Sequence, residues 1–413
     1  MLPSPREEKA RAIVAVPGAV KMVKQDVFEV KSQSGVGAYR VENHKGWKCN
    51  CPDHVTRNVE CKHILAARFF LLAQKDLPQP IPAKRSYLQD WAAYNAAQAE
   101  EIMLFDALLK ELVSTVEEPE QAVGRPRLPI QEQLFCAIQK VYSQLSSRRA
   151  QSLYRNATER GQIEHAPHFN APSKLFNRED VTPILHRLIA LSALPVADME
   201  EDFAIDSTGF RTTSFNAYYG AKHGVKQEHR WVKAHICTGV RTNIVTMAAV
   251  TESNGSDYPQ FQPLIEKTAE GFMIHEVTAD MAYSGRSNHD AVEQLGGTAF
   301  IPFKSNATGY ASGSAAWKKM YHYFQLHRED FMEHYHKRSN IEATNAAIKR
   351  KFGETLKSKN PVAQTNELLA KIVAYNLTVI IHEMFENGVK PDFLQLRVGV
   401  HHTISPETAQ LDA

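Results

Sequence analysis

Three cysteines and a histidine crowd together near the start of the chain, and three acidic residues stand apart in its second half. Cys49-Asn50-Cys51, a nine-residue gap and Cys61-Lys62-His63 offer three thiolates and one imidazole, a donor set that suits tetrahedral zinc. Four protein ligands leave no open coordination position, so the ion expected here is structural. His54 competes for a place in that set. The acids point to other chemistry. Asp206 follows Phe203-Ala204-Ile205 and precedes Ser207-Thr208-Gly209, and Asp280 follows Ile274 to Ala279 and precedes Met281-Ala282-Tyr283. Each aspartate is expected where a strand gives way to a loop. Glu342 lies in the run from Tyr335 to Lys349, which has strong helix formers and no Gly or Pro. At about 100° per residue, Tyr335, Arg338, Glu342 and Lys349 would fall within an arc of about 60°. A face carrying those four types is expensive to bury, and Arg350, Lys351, Lys357 and Lys359 surround the acid with positive charge. Singly, each aspartate is an ordinary strand end and the helix an ordinary solvated face. Jointly they suit phosphodiester cleavage, in which carboxylate-held Mg²⁺ or Mn²⁺ stabilises the attacking and leaving oxygens.

Elements must bring these residues into place. Alternation in Val27 to Lys31 and in Val36 to Val41, split by Ser32-Gln33-Ser34-Gly35, predicts a β-hairpin before the cysteines. Ile64 to Leu72 suits a short buried helix after them. Residues 25–75 then form a small ββα module behind a tail, 1–24. The prolines of Leu77-Pro78-Gln79-Pro80-Ile81-Pro82 predict a linker within 76–120, followed by helix from about residue 85 to 116. Helical patterns at Ile130 to Arg149, Gln151 to Arg160 and Asp180 to Leu194 make 121–200 a basic helical region. Strand-like runs at Phe203 to Ile205, Trp231 to Cys237, Ile244 to Thr251, Ile274 to Thr278 and Thr298 to Pro302 precede two helices, giving an α/β domain over 201–385 and a tail over 386–413.

Composition narrows the class without naming it. At 413 residues, two or three domains are expected. Lys and Arg total 48 against 46 Asp and Glu, so any nucleic-acid surface must be local. The opening residues hold no apolar run resembling a secretory signal, which predicts an intracellular, cytoplasmic protein whose clustered cysteines favour metal over disulfide. Cys136 and Cys237 read as core. Leu368 to Phe385 carries Lys371, His382 and Glu383, predicting an amphipathic helix rather than a membrane span. Gly124-Arg125-Pro126-Arg127 resembles the core of an AT-hook, although a plain linker is the simpler reading. Ser146-Ser147-Arg148-Arg149 could cap a helix and offer two arginines to a phosphate.

Two resemblances sharpen these readings. Cys-x-Cys, then Cys-x-His, with Pro52-Asp53-His54 and Lys62-His63-Ile64-Leu65-Ala66 around them, resembles a SWIM zinc finger. The pattern Tyr335, Arg338, Glu342, Lys349 resembles the Tyr-Arg-Glu-Lys signature of bacterial insertion-sequence DDE transposases. Asp206 in Ile-Asp-Ser-Thr and Asp280 in Thr-Ala-Asp resemble that family's two aspartates, though Met281-Ala282-Tyr283 departs from its usual Lys-Gly-Tyr. The resemblance implies a ribonuclease H-like catalytic domain with a mixed β-sheet flanked by helices, and two Mg²⁺ ions on Asp206, Asp280 and Glu342. It also implies DNA contacts from Tyr335, Arg338 and Lys349, double-stranded DNA (transposon ends and target) as partner, and a homo-oligomer of at least two chains on DNA. The family often carries a β-rich insertion before its glutamate helix and is linked to hairpin chemistry. Residues 304–330 are short for that, and Trp317 and Tyr321 there are as suited to packing as to stacking on a base. A silent DNA-binding regulator descended from a transposase, and a nuclease without strand transfer, are the alternative functions.

Overall fold

The computed structural model describes residues 4–24, 26–33, 37–44, 46–73, 90–120, 124, 126–212, 230–309 and 313–396. The expected linker at 77–82, Arg125 of the AT-hook-like tetrapeptide and the tail after residue 396 lie outside the described residues. Two compact units emerge, one of Met1–Arg85 with Ala279–His336 and the other of Ser86–Thr278 with Lys337–Ala413. The expected catalytic span, 201–385, is thus shared between them.

In the first unit, strands β1 (Val20–Lys24), β2 (Val27–Lys31), β3 (Ala38–Glu42) and β4 (Lys48–Cys49) make an antiparallel sheet in that order. The expected hairpin is β2 with β3, in register from Val27↔Glu42 to Lys31↔Ala38. Period-two alternation sends Phe28, Val30 and Val41 inward. The helix Lys62–Ala73 buries Ile64, Ala66 and Ala67 completely. A sheet and helix this small leave apolar surface unmet. Here it is met by Phe300, Phe303, Trp317, Met320, Phe324 and Phe331, which belong to the same core. Each such side chain contributes about 1.5–3 kcal/mol by leaving water. They come from a strand, Thr298–Phe300, the segment just after it, which carries Phe303, and the helices Ala315–Leu326 and Arg328–Tyr335. Trp317 meets Phe303 edge-on at 4.7 Å and donates Nε1–H to the Thr308 carbonyl at 3.0 Å. Tyr321 also leans on Phe303. Both aromatics therefore pack.

In the second unit, β5 (Asp202–Arg211), β6 (Trp231–Gly239) and β7 (Val245–Glu252) form an antiparallel meander, with β8 (Glu276–Ala279) on the far side of β5. His275 N donates to Glu201 O and Thr278 Oγ1 to Phe203 O. The partner numbers rise together, so β8 runs parallel to β5 and the sheet is mixed. Gly239 ends β6 where a Cβ would lie 2.4 Å from Glu200 Cδ. That space lets the buried Glu200 carboxylate accept hydrogen bonds from Arg241 N at 3.0 Å and Thr242 Oγ1 at 2.7 Å.

The helix Pro361–Glu386 runs through this unit's core, started by Asn360 accepting from Ala363 N and by proline in its first turn. It is long and apolar enough to span a membrane, as is Val181–Met199, yet 83% of its most apolar window is buried within the protein. The amphipathic expectation for Leu368 to Phe385 gives way to a helix buried on nearly every side from Leu368 to Ile381. Polar groups inside it are satisfied. Asn376 Nδ2 donates to the Val245 carbonyl and its Oδ1 accepts from Val245 N. Lys371 Nζ donates to the Gly353 and Thr355 carbonyls, and burial pulls this ammonium down to about 8.

Candidate functional site

Cys49, Cys51, Cys61 and His63 are all buried, and one ligand atom from each lies within 4.8 Å of the others. The hairpin and the helix bring them together: Cys49 ends β4, Cys51 precedes the short helix Pro52–Arg57, and His63 opens Lys62–Ala73. Cys61 Sγ is 3.9 Å from His63 Nδ1, and Cys51 N–H donates to Cys49 Sγ at 3.4 Å. Cys61 is pulled down to about 3, first by its hydrogen bond from Cys49, while Cys49 is driven up by the same contact and by burial. Three crowded thiols favour one thiolate among themselves, whereas a divalent cation would accommodate all three. The donor set fits a tetrahedral metal. His54 is not among the clustered ligand atoms; its Nδ1 lies 2.8 Å from the Val59 carbonyl oxygen.

Asp206 lies within β5, opposite Ile236, and not at a strand end. Ser207, Thr208 and Gly209 were expected to be loop, yet they continue the ladder to Arg211↔Trp231. Strand pairing uses backbone groups, which polar residues carry as apolar ones do. Asp206, Thr208 and Phe210 share one face of β5. Over that face lies the helix Ser339–Phe352, which carries Glu342 in its first turn. Arg338, at its N-cap, spans the two acids: Nη2 is 3.3 Å from Asp206 Oδ2 and Nη1 is 2.8 Å from Glu342 Oε1. Eleven residues on, Lys349 Nζ sits 5.4 Å from the centre of the Phe210 ring, and burial holds that ammonium below its ordinary range. Lys371 approaches the same ring at 5.7 Å. Glu342 remains 61% exposed, open to a ligand. Oxygen donors beside an open surface suit hard divalent cations.

Asp280 directly follows β8, and its Oδ1 accepts from Met281 N at 2.6 Å at the head of a 3₁₀ turn, Met281–Tyr283. Tyr335 ends the helix Arg328–Tyr335 and packs against the first unit's core. His336–Arg338 form a 3₁₀ turn, so the single straight helix expected from Tyr335 to Lys349 is interrupted. At about 120° per residue such a turn shifts the phase by roughly 60° over three residues, and the shared-face geometry holds only for Arg338, Glu342 and Lys349.

The partners of Lys337, within that turn, were not foreseen from the sequence. Lys337 Nζ donates to Asp202 Oδ2 at 2.7 Å and to Glu276 Oε2 at 2.8 Å, while Asp202 Oδ1 lies 3.0 Å from His275 Nδ1. Glu276 is wholly buried. The signal was faint: an acid opens an otherwise apolar strand, and only tertiary pairing shows why. Asp202, His275 and Glu276 could also hold a metal by spacing, but the Lys337 ammonium already bridges the two carboxylates. Lys337→Met leaves Glu276 buried without its cation and should cost about 3 kcal/mol or more. Thermal unfolding should show the midpoint lowered by roughly 6–12 °C, and adding Glu276→Gln should recover part of it. An unchanged midpoint would show that the clamp carries no net stability.

Between the strand Thr298–Phe300 and the glutamate helix, the described residues hold helices and no strand, so no β-rich insertion is seen among them. Residues 198–377 match the family model of the transposase DDE domain. That span takes in Asp206, Asp280 and Glu342, together with Arg338 and Lys349. The match supports a DDE transposase, with a transposase-type DNA-cleaving function, a divalent metal and DNA as partner.

Proposed function

We propose that this chain is a DNA transposase of the insertion-sequence group that binds transposon ends, cleaves them by Mg²⁺-dependent phosphodiester hydrolysis and joins the freed 3′-hydroxyl to target DNA. The observation that carries the reading is Arg338 spanning Asp206 and Glu342 inside the matched span. Asp206, Asp280 and Glu342 would hold two Mg²⁺ ions, which activate the attacking oxygen and stabilise the leaving one. Arg338, whose two Nη atoms hold Asp206 and Glu342, would turn part of its guanidinium to a phosphate oxygen as the metal takes up those carboxylates. Lys349, seated against Phe210, offers a second cation further along the helix, and Tyr335 is the third DNA contact. The meander with a parallel β8 beside its first strand supports a ribonuclease H-like domain.

Cys49, Cys51, Cys61 and His63 would hold one structural zinc in a SWIM-type module over residues 25–75. The helical region 121–200 would bind DNA, and the active assembly would be at least a dimer on paired ends. The test is direct. Full-length protein, duplexes from the DNA flanking its gene, Mg²⁺ and a target plasmid should yield cut ends and joined product. Cutting without joining would support a nuclease, and binding alone a silent regulator.

A further inference from the structure

We infer that the exposed face of the helix Ser147–Glu159 is a duplex-DNA reading surface, built as the second helix of a helix-turn-helix and coupled mechanically to the glutamate helix. The inference rests on the reading of the chain as a transposase and supplies the surface by which it holds its DNA. The helix Ile130–Ser143 ends at Gln144 in the left-handed conformation, φ 56°, and only three residues separate it from Ser147–Glu159. A turn of that length between two helices is the helix-turn-helix spacing. Ala150, Tyr154 and Ala157 are buried, facing inward. Arg148, Arg149, Ser152, Arg155, Asn156 and Glu159 are exposed. At 100° per residue these six fall within an arc of about 120°.

The chemistry of that arc is specific. Three guanidiniums suit phosphates, and Asn156 has the donors and acceptor that read a base edge, while Ser152 Oγ, donating to the Arg149 carbonyl at 2.8 Å, keeps lone pairs to accept. Among the described residues, Arg149 and Arg155 have no ion-pair partner. The helix starts at Ser146, whose hydroxyl makes no capping bond despite the expectation from sequence, leaving first-turn N–H groups beside Arg148 and Arg149.

The turn is tied to the catalytic helix. Gln144 Nε2 donates to the Lys351 carbonyl at 2.6 Å, and Lys357 Nζ donates to the Gln144 carbonyl at 2.8 Å. These bonds hold a non-glycine residue in a left-handed conformation that costs about 1 kcal/mol or more. They also join the reading helix to the end of Ser339–Phe352, so DNA held on the arginine face is placed in fixed relation to Glu342.

Binding of the full-length protein to a short duplex from its gene's flank, and to a shuffled duplex of equal composition, tests this by fluorescence anisotropy. Arg149→Ala with Arg155→Ala should weaken both duplexes at least tenfold and reduce the log-log salt slope by about 2, at about 0.9 per phosphate contact. Asn156→Ala should mainly erode the preference for the flank duplex, by about tenfold. Glu159→Gln should tighten binding to both, a gain that misfolding cannot produce. Binding by the double arginine variant within twofold of the parent, at unchanged salt slope, would overturn the inference. If the parent cuts DNA and that variant does too with equal affinity, only the reading helix falls. If the parent binds through this face but never cuts, the surface stands and the transposase reading falls. A parent that binds no duplex would sink both.

Discussion

Glu342→Gln should reduce Mg²⁺-dependent end cleavage by about a thousandfold or more while leaving duplex affinity within about twofold. Carboxylate-held metal supplies several kcal/mol of charge stabilisation in the transition state, and each 1.36 kcal/mol is tenfold in rate. Glutamine keeps the shape of the side chain and removes the charge that holds the ion. Glu342 is 61% exposed and its partner is the adjacent Arg338, which keeps Asp206, so the fold and its thermal midpoint should not change. Asp206→Asn should act in the same direction. Its carboxylate is 16% exposed and held by the same guanidinium, so some loss of stability should accompany the loss of rate. Rates of cleavage on a flank duplex, measured beside binding, separate the two effects. A Glu342→Gln protein that cuts as fast as its parent would remove the catalytic assignment.

Removing zinc should unfold the first unit well beyond the cysteine module. Structural zinc contributes roughly 10 kcal/mol or more of apparent folding energy in small modules at neutral pH. Here the cysteines share one core with Phe300, Trp317, Met320, Phe324 and Phe331. Chelation, or Cys61→Ser, should therefore raise amide exchange both across residues 20–72 and across the helices Ala315–Leu326 and Arg328–Tyr335. The helix Pro361–Glu386, in the other unit, should keep its protection. Mass spectrometry under native conditions should find one zinc per chain. Exchange unchanged after complete chelation would contradict a structural metal at Cys49, Cys51, Cys61 and His63.

The sequence alone determined the local features. The β2–β3 hairpin, the helix after the cysteines and the strands from β5 onward were legible because side-chain alternation and helical period are written residue by residue. The clustering of Cys49, Cys51, Cys61 and His63 was legible too, since donor types and spacing carry the chemistry. Glu342 with Arg338 and Lys349 was readable because helical spacing is regular, and their shared face is seen in the Arg338–Glu342 ion pair and the Lys349–Phe210 contact. Tertiary structure decided the rest. The extent of β5 past Asp206 depends on β6 being available to pair with it. At the break before Arg338, Lys337 finds Asp202 and Glu276, 135 and 61 residues away in sequence. Burial of Trp317, the inward Lys371 and the all-round burial of Pro361–Glu386 follow from partners that only folding assembles. Local pattern reports which face of an element is apolar, but not which distant residue will meet it, because long-range pairing leaves no periodic trace in the chain.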